Sequence, residues 1–581
     1  MKTLLLFLIF AAATLAAQPD NRYCGAGDVP AFGAQRDGPA SLPASCINTA
    51  ISSSPSPGKV IRVAAGESVQ VALDQASCGD QVLLQSGTTF PPFTLPAKTC
   101  DARHWITVRT SAPDSMLPPE GSRITPCYAG ITSLPGRPPY VCPTTTAAVA
   151  KVELKSGAGA ITVAPGANHY RLMGLEVTRT PGTGTVYALI RFPAGADHII
   201  IDRSWVHGSA LDETVRGVYL GGSRNVGIID SYFNDFHCIA MVGTCTDAQA
   251  IAGGNSRLAI GTYKIVNNFL EAAAENILFG GAGGSEIPAD IEIRRNHLFK
   301  PLTWLPGSSN FIGKKFIVKN LLELKNAQRV LFEGNVLENS WGGFSQIGWG
   351  IVLTPRGSWA AVQDIIIRHD MISHVGAGMQ LAASKADNGT DSLAAQRWNI
   401  HDVILDDLDA AAYDGGGVEF QISSHFGNHT PLNHVVMDHI TAVTDAPVKN
   451  LMLVGANPNN PRLPFDITFN NNIVVAGRYS VWSIGSGPRD CARSGDPSET
   501  FRRCWSSFEV RNNVIIGGGG GWPHGNMSAK DGRGMEFVNF NHGKNGDYRL
   551  RQSSRYKLKG GDGKDPGADV NAVLQAISGV R

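Results

Sequence analysis

A short pattern of β-forming residues returns roughly every 34 residues through the second half of the chain. Each copy has an apolar run, then one or two Asn, Asp, Ser or His residues, then a further apolar pair. The apolar runs alternate with period two and are rich in Val and Ile, which favours strands over helical repeats of similar length. Strand units that stack coil upon coil form a β-solenoid. The copies centre on Ser204, Ser231, Asn268, Asn296, Asn335, Asp370, Asp407, His439, Asn472 and Asn513.

The polar residues of the pattern indicate sharp bends. Asn can take the left-handed backbone conformation at a bend and can hydrogen-bond to the same position of the next coil. The spacing between copies varies, which predicts that loops of different length leave the coil at one corner.

The start of the chain and the cysteines indicate export. Lys2 precedes an apolar run that is too short to span a bilayer and that closes at Ala16 and Ala17, which predicts a signal peptide over 1–17. The ten cysteines fall as sequence neighbours and show no CxxC spacing, so we expect local disulfides formed in an oxidising compartment. The expected pairs are Cys24 with Cys46, Cys78 with Cys100, Cys127 with Cys142, Cys238 with Cys245, and Cys491 with Cys504.

Composition excludes several other classes of protein. The formal net charge is +1 and only 17% of residues are charged, so no concentrated basic face for nucleic acid is expected. A hydrophobic fraction of 43% excludes a disordered chain. We expect a monomer that is secreted, periplasmic or at the cell surface, with no membrane span after signal cleavage.

The segments of the chain follow from these patterns. The expected order is a signal peptide (1–17), an N-terminal extension (18–58), the solenoid (59–534) with a capping helix over 68–76 and a Pro-rich insertion near 101–147, and a closing segment with turns (535–581).

Several segments resemble secreted right-handed parallel β-helix proteins of the pectate-lyase-like superfamily. Residues 60–63 and 79–84 resemble the first coil and cap of that superfamily. Residues 247–356 resemble a large bacterial group, and the most distinctive segments of this likeness are 275–281 and 319–326. The resemblance covers most of the mature chain. It implies an all-β right-handed parallel β-helix with a short N-terminal capping helix, but not one activity, because the superfamily includes lyases, hydrolases, epimerases and adhesins.

A binding face is predicted on the outside of the coil. Where leucines and other apolar residues point inward, their neighbours at period two point outward and form a ladder about 4.8 Å per coil. Such a ladder could bind a polysaccharide, or it could be an ordinary solvated surface. The residues expected to bind substrate are Tyr219, Gln249, Asn276, Gln380, Glu419, Gln421 and Trp349.

Glu323 and Lys325 flank an inward leucine in this ladder and are the candidate catalytic residues, with Arg356 as a third. This pair loosely resembles the Lys base and the acidic residues around calcium of β-helix lyases, so the leading hypothesis is a lyase of uronate-containing glycans. Glu271, Glu275 and Glu323 are the candidate calcium ligands, because carboxylate oxygens suit that ion. Two alternatives stay open: a glycoside hydrolase that pairs Glu323 with Glu419 or Glu275, and a non-catalytic glycan-binding protein.

Overall fold

The computed structural model describes Cys24, Phe32 and residues 37–143, 145–344, 346–384, 389–424, 430–455, 463–484, 490–492 and 494–581. The predicted signal peptide lies outside these residues. Among the helices that are described, none is long and apolar enough to cross a membrane.

The described chain winds as a parallel β-helix, which confirms the predicted fold class. Each coil supplies up to three strands, and equivalent strands of successive coils pair in parallel, so three ladders run along the axis. We name them A, B and C in the order in which each coil passes through them. Ladders A and B meet at a sharp bend and share one 26-stranded sheet, whereas ladder C forms a separate 12-stranded sheet.

Ladder A contains the longest strands. Its members are Val60–Val63, Gln81–Leu84, Ile106–Thr110, Asn168–Met173, Asp197–Asp202, Arg224–Ile229, Gly261–Val266, Ala289–Arg294, Ala327–Glu333, Ala361–Arg368, Phe465–Asn470 and Phe508–Arg511. Two further strands, Ala394–Leu408 and Asn433–Val443, run through the bend and belong to both A and B.

Ladders B and C complete each coil. Ladder B contains Thr89–Phe90, Ala150–Leu154, Leu175–Arg179, Trp205–His207, Tyr232–Asn234, Phe269–Glu271, His297–Phe299, Val336–Ser340, Met371–Val375, Ile473–Val475, Val514–Ile516 and Met527–Ala529. Ladder C contains Phe93–Leu95, Ile161–Val163, Ile190–Arg191, Arg216–Tyr219, Gln249–Gly253, Glu275–Phe279, Leu322–Leu324, Trp349–Leu353, Ala377–Ala383, Val418–Ser424, Asn450–Gly455 and Val481–Ser483.

Short helices and turns occupy the ends and loops. The cap helix, Val69–Gln75, begins where the Ser68 side chain accepts a hydrogen bond from the Val71 amide, and it buries Leu73 over the first coil. This confirms the predicted cap. Two α-helices that the sequence analysis did not predict are Pro497–Cys504 and Val570–Ala576. Single 3-10 turns lie at Ile51–Ser53, Asp114–Met116, Pro126–Ala129, Leu302–Trp304, Arg533–Met535 and Asn541–Gly543. Two antiparallel strand pairs lie outside the three ladders: Gly342–Gly343 with Gln346–Ile347, and Phe537–Asn539 with Asp547–Leu550.

The bend between ladders A and B carries an internal stack of polar side chains. The Asn268 backbone amide donates to Asn296 Oδ1 at 3.0 Å, and the Asn296 amide donates to Asn335 Oδ1 at 2.9 Å. The left-handed residue is the one before the stacked Asn, such as Asn267 with φ 58°. The prediction of stacked Asn residues is therefore right, but the left-handed position is one residue earlier. The copy centred on Asp407 was also placed wrongly, because that coil bends at Asp402, with φ 51°.

The five disulfides join the predicted neighbours. No cysteine is free in the part of the chain that the structure describes. The predicted pairing is confirmed. Local pairs of this kind fix loops that leave the coil without linking distant coils.

Residues 37–54, the N-terminal strap, run along the outer face of ladder A across successive coils. Its contacts, in order, are Asp37 with Arg368, Ala44 with Asp290, Ile47 with Lys264 and Thr49 with Arg171. Charged side chains of ladder A are buried under it, because the strap's backbone and carboxylate satisfy them.

Two other segments cover ladder B. Residues 111–147 pack Leu117, Ile124 and Tyr128 against outward aromatic residues such as Trp205 and Tyr232. This insertion starts later than predicted, because 106–110 is a strand of ladder A. Residues 535–581 cover the later coils, and their contacts on ladder B include Val336, Met371, Ile404, Ile473 and Val514.

Candidate functional site

One outward row of ladder C runs the length of the solenoid. It is partly exposed towards both ends, whereas Ala252, Leu278, Glu323 and Val352 in its middle are buried. The strap, the insertion and the closing segment pack on ladders A and B. Four predicted site residues lie in this row: Tyr219, Glu323, Gln380 and Gln421. The whole row is Thr94, Thr162, Arg191, Tyr219, Ala252, Leu278, Glu323, Val352, Gln380, Gln421, Leu453 and Trp482.

Charged side chains of three adjacent coils meet in the middle of the row. We call this group the carboxylate–lysine cluster; it consists of Asp247, Glu275, Glu323, Lys319 and Lys325. Lys325 Nζ lies 3.1 Å from Glu323 Oε1. Lys319 Nζ lies 3.0 Å from Asp247 Oδ1 and 3.6 Å from Glu275 Oε1. The cluster therefore joins three carboxylates and two ammonium groups.

Strand register brings these residues together. Glu323 and Lys325 lie on either side of Leu324, whose side chain enters the core, so both face outward on one coil. Glu275 opens the equivalent strand of the preceding coil and pairs with Gln249 of the coil before that. Parallel, in-register stacking thus places side chains from distant parts of the sequence about 4.8 Å apart.

Burial and mutual contact set the protonation of the carboxylates. Burial and the neighbouring Glu275 raise the pKa of Glu323 to about 7, although Lys325 opposes the rise. Burial alone would raise the pKa of Glu275, but Lys319 and Lys325 outweigh it and hold that pKa at about 2. Burial and Glu275 also raise the pKa of Asp247, whose side chain keeps 24% of its surface exposed. Neighbouring carboxyl groups with separated pKa values suit acid–base chemistry near neutral pH.

Amide side chains complete the cluster and leave acceptors open. Gln249 Nε2 donates to Glu275 Oε2 at 2.9 Å, and Asn320 Nδ2 donates to Glu323 Oε2 at 3.1 Å. The other oxygens of both amides, Gln249 Oε1 and Asn320 Oδ1, are buried without a hydrogen-bond partner among the described residues. Buried acceptors without partners cost about 1–3 kcal/mol each, so these two amides lower the stability of the cluster.

A buried lysine underlies the cluster. Lys300 Nζ lies 2.9–3.0 Å from four oxygens that share its hydrogens: the carbonyls of Ala272, Ala274 and Asn320, and Asn276 Oδ1. Burial lowers the pKa of Lys300 to about 7 despite the nearby Glu275. This ammonium group anchors the backbone from which Asn320 reaches Glu323.

Two residues predicted to face outward point into the molecule. Asn276 is buried and donates to the carbonyls of Leu270 and Phe299, and Glu419 is 1% exposed. Strands of ladder C begin at a corner where two consecutive residues enter the core, such as Leu321 and Leu322. Period-two counting therefore fails at that corner, and both placements were wrong.

Other predicted residues also differ from expectation. Trp349 is 3% exposed and packs on Val352, Ala377 and Val418, so it offers no surface for a sugar. Arg356 is exposed, and its backbone amide donates to the Lys325 carbonyl at 3.0 Å, which places it beside the cluster.

The predicted calcium ligands do not form one site. Glu271 is fully buried and bound by Arg137, whose Nε and Nη2 both donate to it at 2.7 Å. Glu275 and Glu323 face ammonium groups instead. Among the residues that the structure describes, no group of three or more His, Cys, Asp or Glu side chains is arranged to hold a metal ion. Glu271 is therefore corrected from a metal ligand to an anchor of the insertion.

Sequence analysis missed Asp247, Lys319, Asn320 and Lys300. Lys319 and Asn320 stand in the same segment, 319–326, that carried the resemblance, and Asp247 lies two residues before Gln249. Their proximity to the candidate residues in sequence was a usable signal. Their convergence depends on loops of different length, which period-two reasoning does not place.

Comparisons with known proteins reach the fold and no further. No protein-family model matches the sequence. No curated protein matches it. One solved structure that it resembles is a family 6 polysaccharide lyase from Pseudopedobacter saltans, with 11% identity over 87% of this chain and 99% of that one and a TM-score of 0.40. A second is the family 6 alginate lyase AlyGC, with 10% identity over 88% of this chain and 58% of that one and a TM-score of 0.42. A third is a family 28 exopolygalacturonase from Yersinia enterocolitica, with 11% identity over 81% of this chain and 78% of that one and a TM-score of 0.36. These likenesses concern the fold alone, so we base the function on the geometry of the site.

Proposed function

We propose that this protein is a polysaccharide lyase that cleaves a uronate-containing glycan at the carboxylate–lysine cluster. The observation that carries the proposal is the contact between Glu323, whose pKa burial raises to about 7, and Lys325 at 3.1 Å, just beneath the outer surface of ladder C, where the two side chains keep 8% and 10% of their surface exposed. A proton-exchanging carboxyl group and a cation are thereby held side by side where a polymer could lie.

Elimination needs a neutralised substrate carboxylate, a base for the C5 proton and a proton for the leaving oxygen. Lys325 and Arg356 supply positive charge for the carboxylate. Ionised Glu323 takes the C5 proton while the C4–O bond breaks and the C4–C5 double bond forms. Protonated Asp247, whose pKa burial and Glu275 raise, gives its proton to the leaving oxygen.

The two carboxyl pairs predicted for a hydrolase do not support one. Hydrolases need carboxyl groups about 5–9.5 Å apart, so that water or a nucleophile fits between them. Glu275 lies within hydrogen-bonding distance of both Glu323 and Asp247, which is too close. Glu419, the other predicted partner, is buried in the core.

Calcium remains a prediction, with Glu275 and Glu323 as its remaining candidate ligands. Dialysis against a chelator, followed by added calcium, is the test of metal dependence. We derive no step through a metal, because the two ammonium groups already face these carboxylates.

The decisive experiment is a screen of alginate, polygalacturonate, chondroitin and neutral xylan, read by absorbance of the unsaturated product and by reducing ends. Glu323→Gln and Lys325→Met should each lower turnover by about 100-fold to 10,000-fold. The matched control is Glu509→Gln, which removes a carboxylate from an exposed pair, Glu509 with Arg511, of the same spacing on ladder A. Reducing ends without absorbance would favour a hydrolase, and binding without cleavage would favour a glycan-binding protein.

A further inference from the structure

An aromatic pair lies in the same outward row as the cluster, at the last coil of ladder C. Tyr479 and Trp482 are 39% and 41% exposed, with ring centroids 5.6 Å apart. The Arg478 guanidinium lies 5.2 Å from the Tyr479 ring centroid. We call these three residues the distal platform.

The exposure of Trp482 is unusual within this protein. Of the ten tryptophans, seven are buried, and Trp359 and Trp522 are only partly exposed. Trp482 alone is classed as exposed. An exposed indole beside a phenol and a cation is a surface that suits the apolar face of a sugar ring with an acidic group at its edge.

Register aligns the platform with the cluster. Trp482 and Glu323 occupy the same position of ladder C, five coils apart, which is about 24 Å along the axis. Gln380 and Gln421 lie between them, half-buried, with Gln380 Nε2 donating to Gln421 Oε1 at 3.4 Å. The row between the two sites therefore consists of this central pair of amides flanked by two apolar residues, Val352 and Leu453.

A similar group lies at the other end of the row. Tyr187 and Tyr219 have ring centroids 5.6 Å apart, and the Arg216 guanidinium lies 4.8 Å from one ring and 5.3 Å from the other. Tyr219 is three coils from Glu323, about 14 Å. The same combination of two aromatic rings and an arginine therefore brackets the cluster on both sides.

Cations recur along this face. Lys449 is exposed, and its carbonyl accepts the Tyr479 amide at 2.9 Å, so it stands on the coil next to the platform. With Arg478 at the platform and Arg216 on the far side of the cluster, positive groups lie on this face on both sides of the cluster. Such spacing suits a polyanion rather than a neutral chain.

We infer that Tyr479, Trp482 and Arg478 form a distal binding site for an acidic polysaccharide, which engages the chain about five coils from the point of cleavage. The inference deepens the proposed function and rests on it for the identity of the reacting site. It makes the preferred substrate a long polymer, since a short oligosaccharide at Glu323 cannot reach Trp482.

The test measures binding of alginate, polygalacturonate and chondroitin sulfate by affinity electrophoresis, with neutral xylan as comparator. Trp482→Ala should weaken binding of at least one acidic polymer by about three- to tenfold, as expected for loss of an aromatic contact. Trp482→Phe should restore most of it. Leu558→Ala, which trims an exposed side chain on the closing segment, should bind as the parent does. Circular dichroism checks the fold of each variant.

The outcomes separate the platform from the lyase. If Glu323→Gln abolishes turnover while Trp482→Ala binds polymer like the parent, the platform is wrong and the lyase stands. If the parent binds but does not cleave, and Trp482→Ala loses binding, the platform stands and the lyase is wrong. Failure of the parent to bind any of the three acidic polymers overturns the platform. If Trp482→Ala raises the KM for polymer but leaves the turnover of short oligosaccharides unchanged, both the platform and the lyase are supported.

Discussion

At the scale of single residues, the protonation of buried carboxyl groups distinguishes the site from the rest of the coil. Glu323 and Glu275 have the same side chain, but their pKa values shift in opposite directions. Lysines outweigh burial at Glu275 and lower its pKa, whereas burial outweighs Lys325 at Glu323 and raises its pKa. A sequence names both residues as glutamate and cannot reveal this difference, since it arises from neighbours that come from other coils.

The raised pKa of Glu323 predicts a dependence of stability on pH. An unfolded glutamate ionises near 4.5, whereas folded Glu323 holds its proton up to about 7. The free energy of unfolding therefore falls as pH rises through that window. The Glu323→Gln variant has no carboxyl group to ionise at this position. The free energy of unfolding of the variant minus that of the parent should therefore increase from about pH 5 to about pH 8. Urea unfolding at both pH values is the measurement, and Glu509→Gln is the control. Parallel profiles for parent and Glu323→Gln would contradict the assignment.

Asp370 predicts a stabilising substitution. Its Oδ1 accepts the Asn335 amide at 2.6 Å, but its Oδ2 is buried with no hydrogen-bond partner in the described part of the chain, and burial raises its pKa well above the ordinary value. Asp370→Asn continues the internal stack without the cost of burying a carboxylate. We expect a gain of about 1–3 kcal/mol in unfolding free energy at pH 7, measured by urea denaturation. The gain should vanish near pH 2, well below the pKa of an unfolded aspartate, where the parent is protonated in both states; a loss at pH 7 would refute the prediction.

At the scale of elements, the strap and the closing segment decide which faces of the coil are open. Ladder A would otherwise expose charged side chains, and ladder B would expose an apolar row. The carboxylates and carbonyls of the strap bind the charged side chains of ladder A, whereas the closing segment buries the apolar row of ladder B. Neither role is visible in the local sequence of 37–54 or 535–581, because each segment's partners lie hundreds of residues away.

Asp37 holds one end of the strap. Arg368 Nη1 donates to both of its carboxylate oxygens, at 2.9 and 2.7 Å, and His401 contacts it at 3.2 Å. Asp37→Ala should release this end, because removing one partner of a buried pair is strongly unfavourable. Hydrogen exchange of residues 38–44 should rise while the ladder C amides keep their protection. Glu120→Ala, which removes a carboxylate that accepts the Ile51 amide near the other end of the strap, is the matched comparison and should leave 38–44 unchanged. Exchange that rises equally along the whole coil would contradict a local role.

At the scale of the whole molecule, the solenoid presents one working face. Ladder A lies beneath the strap, and ladder B lies beneath the insertion and the closing segment. The cluster and both aromatic groups therefore share the outer face of ladder C. An elongated row with reactive groups in the middle is suited to a polymer that lies along the axis.

Removal of 535–581 tests this division of faces. The truncation uncovers Val336, Met371, Ile404, Ile473 and Val514 on ladder B, which form a contiguous apolar surface. We expect stronger binding of a hydrophobic dye, a lower unfolding temperature and concentration-dependent aggregation, measured by fluorescence and light scattering. Leu558→Ala should change none of these properties, because that side chain is exposed. A truncated protein that stays monomeric and binds no more dye would show that the segment is dispensable.

The amino-acid sequence by itself determined the fold class, the cap, the five disulfides and the adjacency of Glu323 and Lys325. These features are local: period-two alternation, a capping serine, short cysteine spacings and neighbours two residues apart. Only the tertiary structure decided that Asn276 and Glu419 point inward. It also decided that Arg137 binds the Glu271 carboxylate, and that Asp247 and Lys319 join the cluster. The reason is physical. Stacking brings together residues separated by loops of variable length, and a corner that turns two consecutive side chains inward shifts the register that alternation alone would assign.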